Sequence, residues 1–265
     1  MKKIFICGSI AIKELNETIK KKLDDVIEKK YDVLVGDAEG IDKMVQEYLG
    51  KRYKNVTIYH IGDKPRNCIS RDFSLKHINY DEKLDDKKNK QREKQQFKDR
   101  KMIEDCDISY CIWNGKSKGT YENIIKILDE KKDIEIYLNQ EKEEKSLSSK
   151  NGFQELKNKI MEIYTKNNGY SLSEIYEILK EESNFQINDK KFKELLEEYK
   201  LIRQEKINNK NIYSPVDKKY GIVLKYKNQI SSYRYTEYFI DLIRKTIKTS
   251  EKKSKNYRQN SLFEF

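Results

Sequence analysis

Residues 107–123, DISYCIWNGKSKGTYEN, decide the fold of the first half of the chain. They begin with a short apolar run, as a parallel strand with both faces covered requires. At Asn114 the pattern changes to a loop with two glycines, two lysines and two hydroxyl side chains, which opens a helical segment. Because a helix N-terminus offers free N–H groups and a positive dipole end, this loop is a candidate phosphate site. The alternative is an ordinary turn in which Ser117 or Thr120 only caps the helix.

Apolar runs alternate with amphipathic segments on either side of this stretch. Besides residues 108–113, the strand-like runs are residues 4–7, 33–35, 55–60 and 134–138. Between the first two runs, apolar side chains recur every three or four residues, which is typical of a surface helix with one buried face. Strands that alternate with helices need crossover connections, so the sequence predicts an α/β fold with a parallel sheet.

Polar or glycine-rich turns follow four of the predicted strands. They are Gly8-Ser9 and residues 36–42, 62–67 and 114–120. In open parallel sheets, ligands bind outside the carboxyl ends of the strands, where these turns would meet. We therefore expect one shared nucleotide pocket at this edge of the sheet. The alternative is that each glycine only satisfies its own turn.

Five short motifs occur in this region in a recognisable order. They are GSI at 8–10, GDAEGID at 36–42, PRN at 65–67, KDRKM at 98–102 and WNGKSKGTYEN at 113–123. With them, residues 2–140 resemble the SLOG superfamily of Rossmann-like proteins, which includes LOG-type phosphoribohydrolases and DprA, and especially its small bacterial and phage members. The resemblance implies a nucleoside or nucleotide whose phosphate and ribose lie near Gly8, Ser9, Gly36, Gly40, Ser117, Gly119 and Thr120. The same motifs supply the further candidate contacts Asp37, Asp42, Arg66, Asn67, Gly115 and Asn123.

Enzymatic members of the SLOG group use a glutamate in a GT-x-x-E arrangement to act on an N-glycosidic bond. In this chain Asn123 stands at that place, and Glu122 lies one residue earlier, a rotation of about 100° around a helix. If the chain is a hydrolase, the carboxylates for general acid–base chemistry are Glu122, Asp99 and Asp37, one of which needs a pKa raised by burial. For Glu122 the alternative is a helix-start carboxylate favoured by the dipole. Whether the nucleotide is only bound or also hydrolysed stays open.

A polar, charged insertion lies between Ile69 and Phe97, before the fourth predicted strand. It lacks apolar periodicity, so a solvated loop and a helix over the pocket are both compatible with it. Guanidinium groups match the geometry of phosphate, and three arginines in or beside this insertion could reach one. These are Arg66, Arg71 and Arg100.

The basic charge of the chain is concentrated towards its C-terminal end. Residues 1–140 carry 30 basic and 26 acidic side chains, whereas residues 201–265 carry 15 and 6. This distribution favours a polyanionic partner for the C-terminal part. Four scattered cysteines without a CxxC pair and only two histidines give no metal site and favour reduced thiols in a cytoplasmic protein. No stretch approaches the roughly 20 apolar residues that a membrane span needs.

A polar stretch at residues 141–152 is predicted to be a linker, and a second domain follows at residues 153–249. This domain has three amphipathic helical segments and then strand-like runs around Asn208-Asn209-Lys210, which suits a hairpin turn. That is the order of an α+β winged helix. From Phe192 through Tyr213-Ser214-Pro215, Tyr220-Gly221 and Thr236-Glu237-Tyr238-Phe239, the segment also resembles the C-terminal domain of phage antirepressors. The predicted DNA contacts are the cations Arg203, Lys206, Lys210, Lys218, Lys219, Lys225, Lys227 and Arg234. The alternative is a winged helix that binds protein.

Residues 250–265 are predicted to be a flexible basic tail. Within it, Gln259, Leu262 and Phe263 resemble the short peptide by which bacterial replication and repair proteins bind the β sliding clamp. Two apolar side chains on a tail can fill a hydrophobic pocket while a glutamine forms hydrogen bonds beside it. The tail therefore predicts the sliding clamp as a partner.

Together these patterns predict a Rossmann-like α/β domain at residues 1–140, followed by a winged helix and a tail. The leading hypothesis is a nucleotide-binding, DNA-associated protein of a phage or mobile element, which acts in replication or maintenance and recruits the sliding clamp. The alternatives are a nucleotide phosphoribohydrolase or N-glycosidase, and a DprA-like mediator that binds single-stranded DNA. No motif requires a cofactor beyond the nucleotide. The identity of the nucleotide and assembly into a homo-oligomer stay open.

Overall fold

The computed structural model describes residues 1–80, 90–140, 143–182, 187–226 and 229–247. The chain divides into two compact units, Met1–Ile163 and Tyr164–Phe265. No helix among these described residues is long and apolar enough to cross a membrane.

The first unit alternates strands with helices. Its strands are β1 (Lys3–Gly8), β2 (Asp32–Val35), β3 (Val56–His60), β4 (Ser74–His77), β5 (Ile108–Trp113), β6 (Asp133–Gln140) and β7 (Glu143–Ser148). Its helices are α1 (Glu17–Glu28), α2 (Ile41–Leu49), α3 (Lys90–Asp105) and α4 (Lys118–Asp129), and α5 (Phe153–Asn168) begins in this unit and ends in the next.

One sheet contains all of these strands, in the order β4-β3-β2-β1-β5-β6-β7. The pairs from β4 to β6 are parallel, and β7 is antiparallel to β6. This confirms the predicted α/β fold with a mostly parallel sheet. Because the chain leaves β1 towards β2 and leaves β5 towards β6, a crevice forms outside the carboxyl ends of these two central strands.

Alternate side chains of the central strands enter different layers of the core. Ile4 and Ile6 of β1 pack in one buried cluster with Leu23 of α1, whereas Phe5 between them faces the opposite side of the sheet. Asn16 fixes the start of α1, since its side-chain oxygen accepts a backbone N–H of the first turn at 3.0 Å. Burial of each isoleucine, leucine or phenylalanine side chain in this core stabilises the fold by roughly 1.5–3 kcal/mol.

The predicted linker at residues 141–152 differs from the structure. Residues Glu143–Ser148 form β7, which pairs with β6 along its whole length. The Ser149 hydroxyl then accepts a backbone N–H from the start of β6 at 3.1 Å. An edge strand depends on backbone pairing and needs few apolar side chains beyond the buried Leu147, so the polar composition concealed it. The boundary between the compact units falls later, after Ile163 within α5.

The charged insertion contains helix α3, Lys90–Asp105. The sequence was compatible with either a solvated loop or a helix here, and the structure has a helix from Lys90 onwards. Met102 and Ile103 are buried near its C-terminal end, and the buried residue one turn earlier is Lys98. Strand β4 was not predicted either, because all four of its side chains are exposed. Residues 81–89 of the insertion lie outside the described residues.

The second unit contains helices and two antiparallel hairpins. After α5 come α6 (Leu172–Glu182), α7 (Asp189–Glu198), β8 (Ile202–Ile207), β9 (Lys210–Pro215), β10 (Gly221–Tyr226), β11 (Gln229–Tyr235) and α8 (residues 237–247). The β8–β9 turn has positive φ at Asn208 and Asn209, as the predicted hairpin turn requires. A separate core includes Phe192, Tyr235 and Phe239. The order of elements is compatible with a winged helix, which stays a prediction.

Candidate functional site

A cleft of about 300 Å³ opens at the carboxyl edge of the sheet in the first unit. Its walls come from the ends of β1 and β2, from the segment after β3, from α3 and from the start of α4. The charged lining residues are Asp42, Arg66, Arg92, Lys98, Asp99, Lys118 and Glu122. The turns that the sequence expected at one edge therefore do meet at one crevice.

The cleft brings together part of the predicted nucleotide contacts. Gly8, Asp42, Arg66, Ser117, Gly119, Thr120 and Asn123 line it, as do the candidate acids Asp99 and Glu122. The lining does not include Ser9, Gly36, Asp37, Gly40, Asn67 or Gly115. Among them, Ser9 and Asn67 form hydrogen bonds within the loops, to the Asn114 side chain and to the Asp37 carbonyl oxygen.

Two glycines allow the strand ends and α2 to approach each other closely. A Cβ on Gly8 would lie 2.6 Å from Ile41 Cγ1 at the start of α2. A Cβ on Gly36 would overlap the Asp42 carboxylate and lie 2.7 Å from Lys98 Nζ. Both glycines are therefore packing requirements of the site, and neither needs to touch a ligand to be essential.

Asp37 is buried beneath the cleft and is engaged by two cations. Arg66 donates to Asp37 Oδ1 through Nη2 at 2.6 Å and to Oδ2 through its backbone N–H at 3.1 Å. Lys98 Nζ donates to Oδ1 at 3.2 Å, and the Lys98 and Asp37 side chains are only 2% and 4% exposed. Burial raises the pKa of Asp37, but the bonds from Arg66 and the charge of Lys98 lower it more, to about 2. Asp37 thus stays ionised, which argues against its proposed use as a general acid.

Lys98 is the buried cation at the centre of this cluster. Burial lowers the pKa of its ammonium group, but the carboxylates of Asp99, Asp42 and Asp37 raise the pKa more, so the net shift is upward. Asp99 Oδ1 lies 3.6 Å from Lys98 Nζ. Because an unpaired buried charge is costly, the lysine and its carboxylates stabilise one another. Sequence reasoning missed this role, although Lys98 shares a helix face with the buried Met102 and the spacing could have indicated burial.

Gln46 of α2 is a second residue that sequence reasoning missed. It is fully buried, and its amide nitrogen donates to the Gly36 carbonyl oxygen at 2.9 Å. Its side-chain oxygen accepts the Ile69 N–H at 3.3 Å. Gln46 thereby joins the turn after β2 to the segment after β3. The available signal was a polar residue beside Val45 on the apolar face of α2.

Asp42 is a cleft carboxylate with a strongly perturbed pKa. It is buried in the first turn of α2 and accepts the Ala38 N–H at 3.2 Å. Burial raises the pKa of Asp42 to about 6, although the charge of Lys98 opposes this rise. Asp42 can therefore exchange a proton near neutral pH. From the sequence, the candidates for a raised pKa were Glu122, Asp99 and Asp37, and Asp42 was not among them.

Glu122 and Asn123 join α4 to α3 across the cleft. Arg92 Nη2 donates to both carboxylate oxygens of Glu122, at 3.0 and 3.2 Å, and Gln96 Nε2 donates to one of them at 2.9 Å. Asn123, at the position where the sequence resemblance placed the glutamate of enzymatic SLOG members, donates through Nδ2 to Asp99 Oδ2 at 3.1 Å. The Glu122 carboxylate is thus held by two side chains of α3, as a structural contact would be.

The loop before α4 satisfies much of its own hydrogen bonding. Asn114 Oδ1 accepts the Lys116 and Ser117 N–H groups at 3.0 and 2.9 Å, and Ser9 Oγ donates to the same oxygen at 3.1 Å. Two backbone donors expected at a phosphate are therefore already in use. Space remains at the first turn of α4, where a Cβ on Gly119 would meet no atom within 4 Å. An anion would contact the α4 N-terminus rather than the loop before it.

Cations stand at the mouth of the cleft, and carboxylates lie deeper. The side chains of Arg66, Arg92 and Lys118 are 44%, 51% and 54% exposed. Asp42 is buried and Asp99 is partly buried. Positive charge is thus exposed at the mouth, while the deeper lining combines the carboxylates of Asp42 and Asp99 with the buried ammonium of Lys98.

The predicted DNA contacts of the second unit differ in their surroundings. Exposed residues among them are Lys206, Lys210, Lys218 and Lys225. Two more are exposed but paired, since Arg203 Nε lies 2.6 Å from Glu205 and Lys219 Nζ lies 2.8 Å from Asp217. Lys227 lies outside the described residues, as do Gln259, Leu262 and Phe263 of the clamp-like peptide.

Arg234 is engaged inside the second unit. Its guanidinium donates to the Gly169 carbonyl oxygen at 2.8 and 3.1 Å and to Glu174 at 2.7 Å, and its side chain is only 13% exposed. These bonds tie β11 to the turn before α6. A phosphate contact by Arg234, as the sequence predicted, would require these bonds to break.

No protein-family model matches the chain, and no curated protein matches it. Among solved structures, DNA processing protein A from Helicobacter pylori, described for its unique single-stranded DNA binding mode, is similar to part of the chain. The two share 12% sequence identity over 62% of this chain and 81% of that chain, with a TM-score of 0.38. A likeness of this size carries no argument about function.

Proposed function

We propose that the first unit binds a nucleotide in the cleft and that the second unit contacts DNA. The observation that carries the first part is the open first turn of α4 at Gly119, with Arg66, Arg92 and Lys118 in the same cleft. Backbone N–H groups and a positive helix end favour a phosphate group. The three cations pair with Asp37 or Glu122, but their side chains are exposed enough to contact a phosphate as well. A volume of about 300 Å³ lies within the range of small-ligand pockets.

The inner part of the cleft supports the same ligand class. Asp42 and Asp99 line it with carboxylate oxygens, which accept hydrogen bonds from ribose hydroxyls or base amino groups. A nucleotide oriented with its phosphate at the mouth and its nucleoside inside matches both ends of the cleft. A free polyphosphate would match only the mouth.

A thermal-shift series tests this proposal. Nucleoside monophosphates are expected to raise the melting temperature progressively with concentration, because a ligand that binds only the folded state stabilises it. The matching nucleosides, which lack the phosphate, are expected to raise it less at equal concentration. Equal shifts from nucleosides and nucleotides, or no shift from either, would contradict a phosphate seat at α4.

The DNA part of the proposal is supported by charge. Residues 201–265 carry 15 basic and 6 acidic side chains, and Lys206, Lys210, Lys218 and Lys225 are exposed. Lysines that neutralise phosphates make the affinity fall steeply with salt. Replacing these four lysines with alanine should weaken DNA binding and reduce its salt dependence, and an unchanged salt slope would contradict the proposal. Single and double strands of one sequence in the same assay separate duplex association from a single-strand mediator.

We also propose, from the sequence, a role in replication or maintenance of a phage or mobile element through the clamp-like peptide. The Leu262→Ala, Phe263→Ala double variant should lose pull-down of the β sliding clamp, because the apolar pair would no longer fill a pocket. A variant that is still captured would remove the clamp from the proposal and leave the cleft unaffected.

A second candidate function is hydrolysis of the N-glycosidic bond of the bound nucleotide. Asp42 favours it, because a pKa of about 6 allows this carboxyl to protonate a leaving base. Asp99 would then supply a carboxylate near the sugar. Release of free base from nucleoside monophosphates, lost in Asp42→Asn, would support hydrolysis. Binding without any release would leave the cleft as a binding site alone.

A further inference from the structure

A second concave surface lies beside α8 in the second unit, and we name it the α8 groove. It has a volume of about 410 Å³ and is lined by Lys219, Tyr220, Tyr238, Asp241, Leu242 and Lys245. The four lining residues of α8 follow one another at helical spacing on one face. The opposite face, with Phe239, Ile240 and Ile243, is buried in the core of the unit. The groove is therefore built on a well-anchored helix.

Two tyrosine rings give the α8 groove its character. Tyr238 is 76% exposed. Tyr220 is partly buried, and its ring centre lies 5.9 Å from that of Phe239, which stacks on Tyr235 at 4.7 Å. A single exposed tyrosine needs no explanation, but here two rings share a groove with Leu242. The core holds one ring in place while the other presents an open face.

The charges around the groove favour an anionic partner. The Lys219 ammonium lies 4.8 Å from the centre of the Tyr220 ring and 2.8 Å from Asp217, in an exposed ion pair that leaves it accessible to a phosphate. Asp241, the acidic lining residue, is already paired with Arg244 at 2.7 Å. After Lys245 the sequence continues with five basic residues and one acidic residue in positions 246–258. This composition adds positive charge to the sequence after α8, which favours a polyanion over a neutral apolar peptide.

We propose that the α8 groove is a stacking site for an unpaired base of a nucleic-acid strand. Tyr238 and Tyr220 provide the aromatic faces, and Lys219 and Lys245 neutralise the neighbouring phosphates. The inference rests on the proposed contact between the second unit and nucleic acid and does not depend on the cleft of the first unit. It adds a preference for unpaired bases, which phosphate contacts alone do not give.

Fluorescence anisotropy on the full chain tests the α8 groove with labelled 15-nucleotide strands. The probes are oligothymidylate and an abasic strand of the same length, which has the same phosphates but no bases. The unmodified chain should bind oligothymidylate at least about fivefold more tightly, because a stacked base contributes about 1–3 kcal/mol. Tyr238→Ala should remove this preference without changing the salt slope, and Tyr238→Phe should keep it. Val223→Ala, which changes a half-exposed side chain on β10 outside the groove, should behave like the unmodified chain.

Two results would overturn the stacking site. They are equal affinity of the unmodified chain for both strands and a preference that persists in Tyr238→Ala. If neither strand binds even at low salt, the proposed nucleic-acid contact of the second unit fails together with the groove. If both strands bind with a steep salt dependence but Tyr238→Ala has no effect, only the stacking site fails.

Discussion

The ion pair between Lys98 and Asp37 at the cleft of the first unit is buried, whereas the pair between Arg203 and Glu205 on the β8–β9 hairpin of the second unit is largely exposed. In the first unit, Asp37 and Lys98 are almost inaccessible, and together with Arg66 they hold the loops of the cleft in place. In the second unit, pairs such as Arg203 and Glu205 stand near the surface. Removal of one partner from a buried pair costs about 3–5 kcal/mol, whereas an exposed pair contributes about 0–1 kcal/mol. The same residue types therefore build a site in one unit and a solvated surface in the other.

The largest expected effect comes from removing the buried cation. Lys98→Met leaves the Asp37, Asp42 and Asp99 carboxylates without their shared ammonium and should lower the free energy of unfolding of the first unit by about 3–5 kcal/mol. Urea unfolding followed by Trp113 fluorescence measures this, because Trp113 is the single tryptophan of the chain and is buried in β5.

The matched control for this variant is Lys101→Met, one turn further along α3. The Lys101 side chain is 39% exposed, against 2% for Lys98, and its ion pair in the described part of the chain is with Glu104 at 2.6 Å, so its replacement should cost less than about 1 kcal/mol. Similar losses for the two variants would show that burial does not distinguish the two lysines, and the account of Lys98 as a buried cation that supports the cleft would then fail.

The raised pKa of Asp42 should make the free energy of unfolding depend on pH. The pKa of Asp42 is raised to about 6, so its contribution to stability is fully present below the ordinary value of 3.8 and is lost as the pH rises through 6. The loss amounts to at most about 3 kcal/mol. Asp42→Asn should therefore be more stable relative to the unmodified chain at pH 8 than at pH 4, as urea unfolding at both values would show. A difference that does not change with pH would mean that Asp42 is not desolvated.

The pKa of Asp37 is shifted in the opposite direction from that of Asp42, so the contributions of the two carboxylates to stability are lost in different pH ranges. Its pKa is lowered to about 2, so its contribution is present above 3.8 and is lost as the pH falls towards 2. Acid unfolding below pH 4 should therefore report on Asp37, while the window from pH 4 to 6 reports on Asp42.

A smaller effect is expected from adding one methyl group beside the buried charges. The Cβ of Gly36→Ala would collide with Asp42 and Lys98, which should cost about 1–3 kcal/mol. Gly119→Ala at the open start of α4 meets no atom within 4 Å and should be neutral or stabilise by up to about 1 kcal/mol. The melting temperatures of the two variants compare them directly, and equal destabilisation would contradict the crowding at Gly36.

The smallest effect is expected at the surface of the second unit. Arg203→Ala should change the free energy of unfolding by less than about 0.5 kcal/mol, since its partner Glu205 can return to water. Arg234→Ala should cost about 1–3 kcal/mol, because the Gly169 carbonyl loses its donors. Circular dichroism during thermal unfolding measures both, and a reversed order would show that exposure does not rank these arginines.

The strands that the sequence predicted are those whose side chains carry the signal. The runs at residues 108–113 and 134–138 are apolar because both faces of the sheet are covered, and they became β5 and β6. β4 and β7 escaped prediction because an edge strand is defined by backbone pairing, and polar side chains neither require nor forbid it. Helix α3 lacked a clear apolar stripe, since its inward face near the cleft is occupied by Lys98 rather than by a hydrophobic residue.

The site was predictable in position but not in its internal contacts. Glycines after β1 and β2 indicated that loops come close together at the carboxyl edge, and Gly8 and Gly36 do allow this. Sequence spacing could not show that the Asn114 side chain already accepts two backbone N–H groups of the loop. Nor could it show that Lys98 of α3 forms an ion pair with the Asp37 carboxylate. Such facts depend on pairs of residues far apart in the chain, which a single sequence does not connect.

The central claim, a phosphate seat at the start of α4, is tested most directly by calorimetric titration with the nucleoside monophosphate that gives the largest thermal shift. Lys118→Glu places a negative charge beside this seat, and Lys126→Glu places the same charge two turns further along α4, beyond the cleft. The account predicts that Lys118→Glu weakens binding at least about tenfold while Lys126→Glu stays close to the unmodified chain. Equal affinities for the two variants would contradict the account.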